Sequence, residues 1–202
     1  MEKVLVAYTT HSGSTTEVAQ AIGEELAKNG AVVEIYRLEE VTSLDAYSAV
    51  VIGAPMILGW HRAAVKFVKR HQQALSQRPV ALFFMAMSLT QTGDTRVDQV
   101  PITVDSELAK LPANEGRLSF RERYATVTNY LRPVLRAAPS VKPVSVGFFG
   151  GKLEYFRLKL FALLFVMLVI RAQPGDKRNW SLIREWAASL YPLLVGVRAG
   201  GT

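Results

Sequence analysis

A short apolar strand that runs directly into a hydroxyl-rich turn and then a helix is the feature that most constrains this chain. The strand residues are Val4–Ala7, and the turn consists of Thr10, His11, Ser12, Gly13, Ser14 and Thr15. The first backbone N–H groups of a helix have no intrahelical acceptor, so they point towards an anion at the turn. The pattern therefore predicts a phosphate-binding loop that needs no cationic side chain.

The spacing of this loop differs from two commoner nucleotide motifs. A Walker loop needs a lysine after its second glycine, a dinucleotide loop needs three glycines, and neither pattern stands here. The pattern Thr10-x-x-Gly13-x-Thr15, followed by Ala19 and Ile22, resembles the flavin mononucleotide (FMN) phosphate loop of the flavodoxin family. The resemblance implies FMN as the cofactor, bound through the six turn residues. The alternative that these residues only cap a helix stays open.

Composition limits the class of protein. The chain has 202 residues, half of them hydrophobic, which suits a single domain over residues 1–202. It contains no cysteine, which excludes disulfides, thiolate nucleophiles and Cys-based metal sites, and we expect no metal. The strand that begins at Lys3 follows no charged and apolar leader, so we expect a cytoplasmic protein, with peripheral contact at the inner face of the membrane.

The charge is unevenly distributed along the chain. Residues 1–116 hold 10 Lys and Arg against 13 Asp and Glu, whereas residues 117–202 hold 14 against 4. A basic half attracts anions such as lipid headgroups or a carboxylate-bearing substrate, and a solvated face without a partner stays the alternative. No basic stripe interleaved with aromatic residues is present, so we do not expect nucleic-acid binding.

Periodicity predicts alternating strands and helices. The predicted strands are Lys3–Tyr8, Val32–Tyr36, Ala49–Gly53, Val80–Met87 and Val144–Phe148, and the predicted helices are Thr15–Lys28, Ala63–Leu75, Ser119–Leu135 and Asn179–Leu190. This order predicts an α/β fold, a flavodoxin-like doubly wound five-stranded parallel sheet with helices on both faces. An insertion at about 90–118 follows the fourth strand, with a short helix at Asp105–Leu111 as its only predicted element.

Ligands of such sheets bind at the carboxyl ends of the strands, where three loops are expected to meet. The second and third loops add these predicted cofactor-binding residues: Ala54, Pro55, Met56, Ile57, Gly59 and Trp60 after the third strand, and Ser88, Leu89 and Thr90 after the fourth. The backbone amides of the third loop would meet the polar edge of the flavin. Trp60 either stacks on the flavin or packs at the edge of the core. We expect His11 to face solvent, His61 to begin a helix and His71 to be exposed.

Further segments resemble the menaquinone-dependent protoporphyrinogen oxidases of the flavodoxin superfamily. They are Val50–Ala54, Gly59-Trp60-His61, Phe67–His71 and Gly150–Tyr155. The resemblance implies transfer of electrons from a reduced tetrapyrrole to a quinone, and Lys152, Arg157 and Lys159 would bind the substrate propionates. The flavin would carry the chemistry, so no side chain is assigned as catalytic. His11 and Ser12 depart from the charged pair expected in the loop, and the insertion departs from the compact form.

A helix over Phe156–Arg171 is the second informative feature. It contains the apolar run Leu160–Ile170 between basic residues, and is too short to span a bilayer, which takes about 20 residues. A buried core helix and a helix at the membrane interface both fit this pattern.

Two other functions stay open from sequence. One is a flavodoxin-type electron carrier or an NAD(P)H:quinone reductase. The other is a flavin-sensing or flavin-free module that docks on a membrane or a partner. The sequence does not determine the oligomeric state.

Overall fold

The computed structural model describes residues 2–11, 13–56, 59–114, 116–153 and 175–196. The strands are β1 (Lys3–Tyr8), β2 (Val32–Arg37), β3 (Ala49–Pro55), β4 (Val80–Ala86), β5 (Leu89–Thr90), β6 (Arg96–Val97), β7 (Val100–Val104), β8 (Ala109–Lys110), β9 (Ser145–Gly150), β10 (Lys152–Leu153) and β11 (Gly175–Asp176). The helices are α1 (Ser14–Lys28), α2 (Arg62–Arg70), α3 (Gln72–Leu75), α4 (Phe120–Tyr124), α5 (Val127–Ala137) and α6 (Trp180–Val195).

The central sheet has the strand order β2-β1-β3-β4-β9-β7-β6. The first six strands in this order are parallel, and β6 pairs antiparallel with β7 at the edge. The predicted five-stranded parallel sheet is confirmed in β2, β1, β3, β4 and β9. Because the order reverses beside β1, the carboxyl ends of β1 and β3 flank a crevice suited to a ligand.

Helices cover both faces of this sheet. Residues Val18, Ile22 and Leu26 of α1 pack with Ile183, Trp186 and Leu190 of α6 on one face, against a cluster that includes Val6, Val51 and Phe83. On the other face α2 and α5 contribute Phe67, Leu131 and Val134 to a cluster that includes Ile52, Phe84 and Phe148. The long apolar runs of the strands follow from this double burial.

The alternation of side chains along β4 explains one glycine of β3. Phe83 packs on the α1 face and Phe84 on the other. The Phe83 ring lies over Gly53, where an added Cβ would come within 1.8 Å of the ring. Gly53 therefore lets the ring lie flat on the neighbouring strand.

The insertion differs from the prediction, because it extends the sheet. Its residues Ile102–Val104 pair parallel with Val146–Phe148 of β9, and β5 pairs with β8 beside the sheet. The predicted helix at Asp105–Leu111 is wrong: residues 106–108 form a turn that leads into β8. Pro101 sits near the outer edge of the sheet, opposite Arg96, a position where proline is tolerated.

Two predicted helices are each divided in two. The Ala63–Leu75 helix is interrupted at His71 between α2 and α3. The Ser119–Leu135 helix is interrupted because the Thr126 hydroxyl accepts a hydrogen bond from the Asn129 N–H at 3.2 Å and starts α5 afresh. The predicted helix over Phe156–Arg171 lies outside the described residues.

Candidate functional site

The loop after β1 folds as a small closed turn. The Gly13 N–H donates to Thr10 Oγ1 at 2.9 Å, and the Thr16 N–H donates to the Gly13 carbonyl at 3.0 Å. Gly13 precedes α1 with φ +93° and no side chain caps the helix, so glycine is needed for the turn. The N–H groups of Ser14 and Thr15 then open the helix without intrahelical acceptors. This arrangement suits an oxyanion, as expected from sequence.

Thr15 gives the most direct evidence that the turn fits an oxyanion. The residue is 1% exposed, and its Oγ1 has no hydrogen-bond partner among the described residues. A buried hydroxyl without a partner costs about 1–3 kcal/mol. A phosphate oxygen in the turn would be a fitting acceptor, so the residues present fit a phosphate group. Ser12 lies outside the described residues.

The loop after β3 has its aromatic ring in the core. Trp60 is 5% exposed, and its ring stacks on Phe84 at a centroid distance of 4.9 Å. Met56, also buried, pairs with Trp60 in an isolated bridge, and the Met56 N–H donates to the Met85 carbonyl at 2.8 Å. This packing matches the alternative in which Trp60 and Met56 lie at the edge of the core. Their contact with a flavin stays a prediction. Ala54, Pro55 and Gly59 flank the same loop, and Ile57 lies outside the described residues.

Two histidines bring the first and second loops together. The rings of His11 and His61 meet edge to face at a centroid distance of 4.4 Å. His61 also caps α2, because its Nδ1 accepts from the Ala63 N–H at 3.2 Å, which confirms that it begins a helix. Burial lowers the pKa of His61, opposed by the charge of Glu39. The expectation that His11 faces solvent is confirmed, since the residue is exposed while its ring contacts His61.

The prediction for His71 is wrong, because it is half-buried between α2 and α3. Its ring lies 4.6 Å from that of Phe67, and its Nε2 has no partner among the described residues. Burial lowers the pKa of His71, and Arg70 adds to the effect. The short link between two helices gave no sequence signal for this position.

The loop after β4 is bound to the insertion. The Thr90 N–H donates to the Ala125 carbonyl at 2.7 Å, so this amide is already engaged and does not face a ring edge. Leu89 and Thr90 are buried. The Ser88 carbonyl accepts from the Tyr130 hydroxyl at 3.5 Å, and burial raises the pKa of Tyr130 far above its usual range.

A cavity of about 310 Å³ opens beside this third loop. Its lining comes from the insertion and from the start of α5: Leu89, Thr90, Gln91, Thr92, Gly93, Asp94, Thr95, Val104, Ser106, Ala109 and Val127. The cavity is at the lower end of the range for small-molecule sites. Because β4 and β7 are both parallel members of the sheet, the cavity lies on the same carboxyl edge as the phosphate turn.

A contact that sequence reasoning missed closes this edge at β9. An added Cβ on Gly150 would lie 1.9 Å from the Lys177 carbonyl oxygen, so glycine allows the chain to approach. The Lys177 N–H donates to the Gly151 carbonyl at 3.1 Å, and the Gly151 N–H donates to the Ala86 carbonyl at 2.9 Å. In the sequence, only the Gly150-Gly151 pair indicates a close approach of two chain segments, and it does not indicate which segment approaches.

Arg178 then connects this closure to α1. Its side chain is 4% exposed, and its Nη1 lies 2.9 Å from Glu17 Oε2 in the first turn of α1. Its Nε donates to Asp176 Oδ1 at 2.8 Å, and its guanidinium lies over the Trp180 ring. Arg178 lowers the pKa of Asp176 by hydrogen bonding. Arg178, which is distant in sequence, thus stabilises the helix that follows the phosphate turn.

The remaining predicted site residues are only partly described. Lys152 lies in β10, in register with Asp176 of β11. Arg157 and Lys159 lie outside the described residues. In the described part of the chain, no three His, Cys, Asp or Glu side chains could jointly hold a metal ion, and no helix is long and apolar enough to cross a membrane.

Known proteins resemble the chain over different lengths. Protoporphyrinogen IX dehydrogenase (quinone) of Escherichia coli K12 is 35% identical over 85 residues, which cover 40% of this chain and 46% of that protein; the same protein of strain O157:H7 matches equally. The chain thus spans about half the length of these curated relatives.

Solved structures with similar folds include rubredoxin oxygen:oxidoreductase of Desulfovibrio gigas, with a TM-score of 0.49, 13% identity, and coverage of 99% of this chain and 38% of that one. Another is the two-electron reduced flavodoxin of Megasphaera elsdenii, with a TM-score of 0.43, 14% identity, and coverage of 72% and 84%. A family model described as the flavodoxin domain matches residues 5–179. This match takes in the phosphate turn, the parallel sheet and the Gly150–Lys177 closure, and the chain therefore belongs to the flavodoxin domain family.

Proposed function

We propose that this chain is an FMN-dependent oxidoreductase that passes electrons from a reduced tetrapyrrole to a quinone, as a protoporphyrinogen oxidase does. The observation that carries the proposal is the buried Thr15 hydroxyl at the opening of α1, which has no hydrogen-bond partner in the part of the chain that the structure describes. Membership of the flavodoxin domain family supports FMN as the group that the turn binds. The names of the curated relatives support the tetrapyrrole and the quinone.

The residues of the first turn would bind the FMN phosphate with neutral donors. The N–H groups of Ser14 and Thr15 and the Thr15 hydroxyl would donate to phosphate oxygens. Thr10 keeps the turn closed through its hydrogen bond from the Gly13 N–H. The ion pair with Arg178 offsets the negative charge of Glu17 in the first turn of α1.

The second and third loops would hold the rest of the cofactor. FMN supplies the two-electron acceptor of such a reaction. The contact between His11 and His61 fixes the first loop against the second. Because burial lowers the pKa of His61, its imidazole is neutral at neutral pH and adds no charge beside the cofactor.

The cavity beside the third loop suits the electron acceptor. Its lining combines threonine and serine hydroxyls with apolar side chains, and Asp94 is the ionisable group among the described residues that line it. Hydroxyl donors fit the carbonyl oxygens of a neutral quinone, whereas a carboxylate disfavours an anionic porphyrin. The propionates of the tetrapyrrole would instead meet the basic residues, of which Lys152 lies in β10, shortly after β9.

Peripheral contact with a membrane belongs to the same proposal, because long-chain quinones reside in the bilayer. The basic C-terminal half would be attracted to anionic headgroups. The expected apolar helix over Phe156–Arg171 would add an apolar surface.

The test is to purify the protein, record the flavin absorbance and assay oxidation of protoporphyrinogen with and without a menaquinone analogue. Turnover that depends on both FMN and the quinone supports the proposal. Bound FMN without such turnover would exclude this substrate. Oxidation of NADPH by quinone in its place would identify a reductase, and absence of tight FMN binding would favour an interaction module.

A further inference from the structure

Two large apolar side chains, one in the insertion and one just after it, are exposed to solvent. Phe120 is 80% exposed and Leu111 is 79% exposed, whereas the next most exposed large hydrophobic residue in the described part of the chain, Tyr36, is 42% exposed. Single exposed apolar residues are common on protein surfaces. Two that are almost fully exposed within one short segment require a specific explanation.

Hydrogen bonds tie together the two segments that carry these side chains. Leu111 directly follows β8, and Phe120 begins α4. Glu122 joins the two arms, because its carboxylate accepts from the Ala113 N–H and from the Ser119 N–H, both at 2.7 Å. These hydrogen bonds lower the pKa of Glu122, so the link persists at neutral pH.

Both arms are also anchored to β5. The strand β8 pairs with β5, and the Thr90 N–H of β5 donates to the Ala125 carbonyl at the end of α4. The two apolar side chains are therefore presented by a defined scaffold.

Basic residues are close in sequence to the two apolar residues. The exposed basic residues of the same segment are Lys110, Arg117, Arg121 and Arg123. Residues 110–123 contain two acidic residues, Glu115 and Glu122, and the Glu122 carboxylate is occupied by the backbone contacts above. Protruding apolar side chains with adjacent cations match the two layers of an anionic bilayer surface, acyl chains beneath and phosphates above.

The apolar area is small for a protein interface. A phenylalanine and a leucine at this exposure offer roughly 300 Å² together, whereas a stable protein interface takes about 800 Å² from each partner. Two inserted side chains are sufficient for reversible membrane binding when cations assist. The area and the charge thus favour a lipid surface over a second copy of this chain.

We propose that Lys110, Leu111, Arg117, Phe120, Arg121 and Arg123 form a docking surface for anionic lipid bilayers, with Leu111 and Phe120 inserted among the acyl chains. This surface adjoins β5, which continues from the loop after β4. Docking would place the cavity beside that loop close to the bilayer. The relevance to quinone delivery rests on the proposed function, but the docking itself requires no flavin.

The experiment measures co-sedimentation of the full chain with vesicles of phosphatidylcholine alone or mixed equally with phosphatidylglycerol. We expect binding to the anionic vesicles that weakens as salt rises from about 0.1 M to about 1 M, because the Debye length falls from about 10 Å to about 3 Å. The double variant Leu111→Ser/Phe120→Ser should bind at least about tenfold more weakly. Leu193→Ser, at an exposed leucine of α6, is the matched control and should bind as the wild type does.

A second pair of variants tests the charge. Arg117→Gln/Arg123→Gln should weaken binding to anionic vesicles by about 30-fold. Lys28→Gln/Arg184→Gln removes the same charge from α1 and α6, which cover the opposite face of the sheet from α5, and should have a much smaller effect. Circular dichroism and thermal melts verify that each variant is folded. We expect all of them to fold, because the substituted residues are exposed or partly exposed.

Three outcomes would overturn the proposal. The first is that the wild type fails to bind anionic vesicles. The second is that Leu111→Ser/Phe120→Ser binds as tightly as the wild type, a result that would assign membrane contact to another segment. The third is a wild type that self-associates without lipid while the double variant is monomeric in light scattering, which assigns the surface to a second copy. Flavin absorbance measured on the same samples reports the proposed function separately, so failure of one proposal is distinguishable from failure of the other.

Discussion

Replacing Thr15 by valine should stabilise the protein without flavin and weaken its affinity for FMN. Valine has nearly the same shape and removes a buried hydroxyl that has no partner among the described residues. Removing such a group recovers about 1 kcal/mol of the free energy of unfolding. For a chain of this size that corresponds to a rise in Tm of about 2–4 °C.

The same change removes a donor to a charged phosphate. A hydrogen bond to a charged group contributes about 1.5–3 kcal/mol, so the Kd for FMN should rise roughly 10- to 150-fold. The two effects have opposite signs, which a general packing defect would not produce.

The assay pairs thermal melts of flavin-stripped protein with fluorescence titration by FMN. Thr16→Val is the matched control, since Thr16 is the next residue of α1 and only half-buried; it should leave the Kd unchanged. If Thr15→Val lowered the Tm of the stripped protein and left the Kd unchanged, the reasoning would be refuted.

Three further predictions follow from the site. Arg178→Met should reduce the free energy of unfolding by about 1–2 kcal/mol at neutral pH. The expected loss is small because the carboxylates that pair with Arg178 are exposed to solvent. Because the pKa of Asp176 is lowered in the folded state, the wild type should lose part of its stability as the pH falls from about 4 through that pKa, and urea titrations should show a smaller acid loss in Arg178→Met. Burial lowers the pKa of His61, so the unfolded chain binds more protons than the folded chain, and stability should rise as the pH increases towards about 6.5. His61→Asn preserves a helix cap and should flatten this rise in the same titrations. An unchanged slope would contradict the assignment of the rise to His61. Ser106→Trp, which fills the cavity, should raise the KM for a naphthoquinone acceptor with little change in FMN affinity, whereas exposed Glu107→Trp beside it should not.

The central sheet could be predicted because its strands are buried on both faces. The runs at β1, β3 and β4 are almost continuously apolar, and a helical pattern follows β1 and β3. The phosphate turn was predictable for a related reason, since its residue types and spacing are local in sequence. A short chain segment contains all the information that such elements need.

The insertion could not be predicted in the same way. The strands β5, β6 and β8 have two residues each, which is too short for any periodicity to appear. The strand β7 contains Pro101, which usually breaks strands, and forms because Ile102–Val104 pair with β9. The strand β7 therefore forms because it pairs with β9, and not because its own sequence has a strand pattern.

Long-range contacts explain what was missed at the site. Glu17 and Arg178 are separated by 161 positions in the chain, and neither residue type signals the other. The packing of Trp60 was undetermined for a similar reason: the sequence shows an aromatic ring in a loop, but not that Phe84 lies beneath it.

The pairing of β10 with β11 has a consequence for how this fold can vary. Leu153 and Gly175 are opposite each other in register, so two residues that are 22 positions apart in the sequence are held side by side. The entropy of closing a loop grows only slowly with its length, and the ends here are already fixed by the ladder and by the Gly150–Lys177 approach. A change in the number of residues between Leu153 and Gly175 should therefore alter the cost of closing this ladder only slightly.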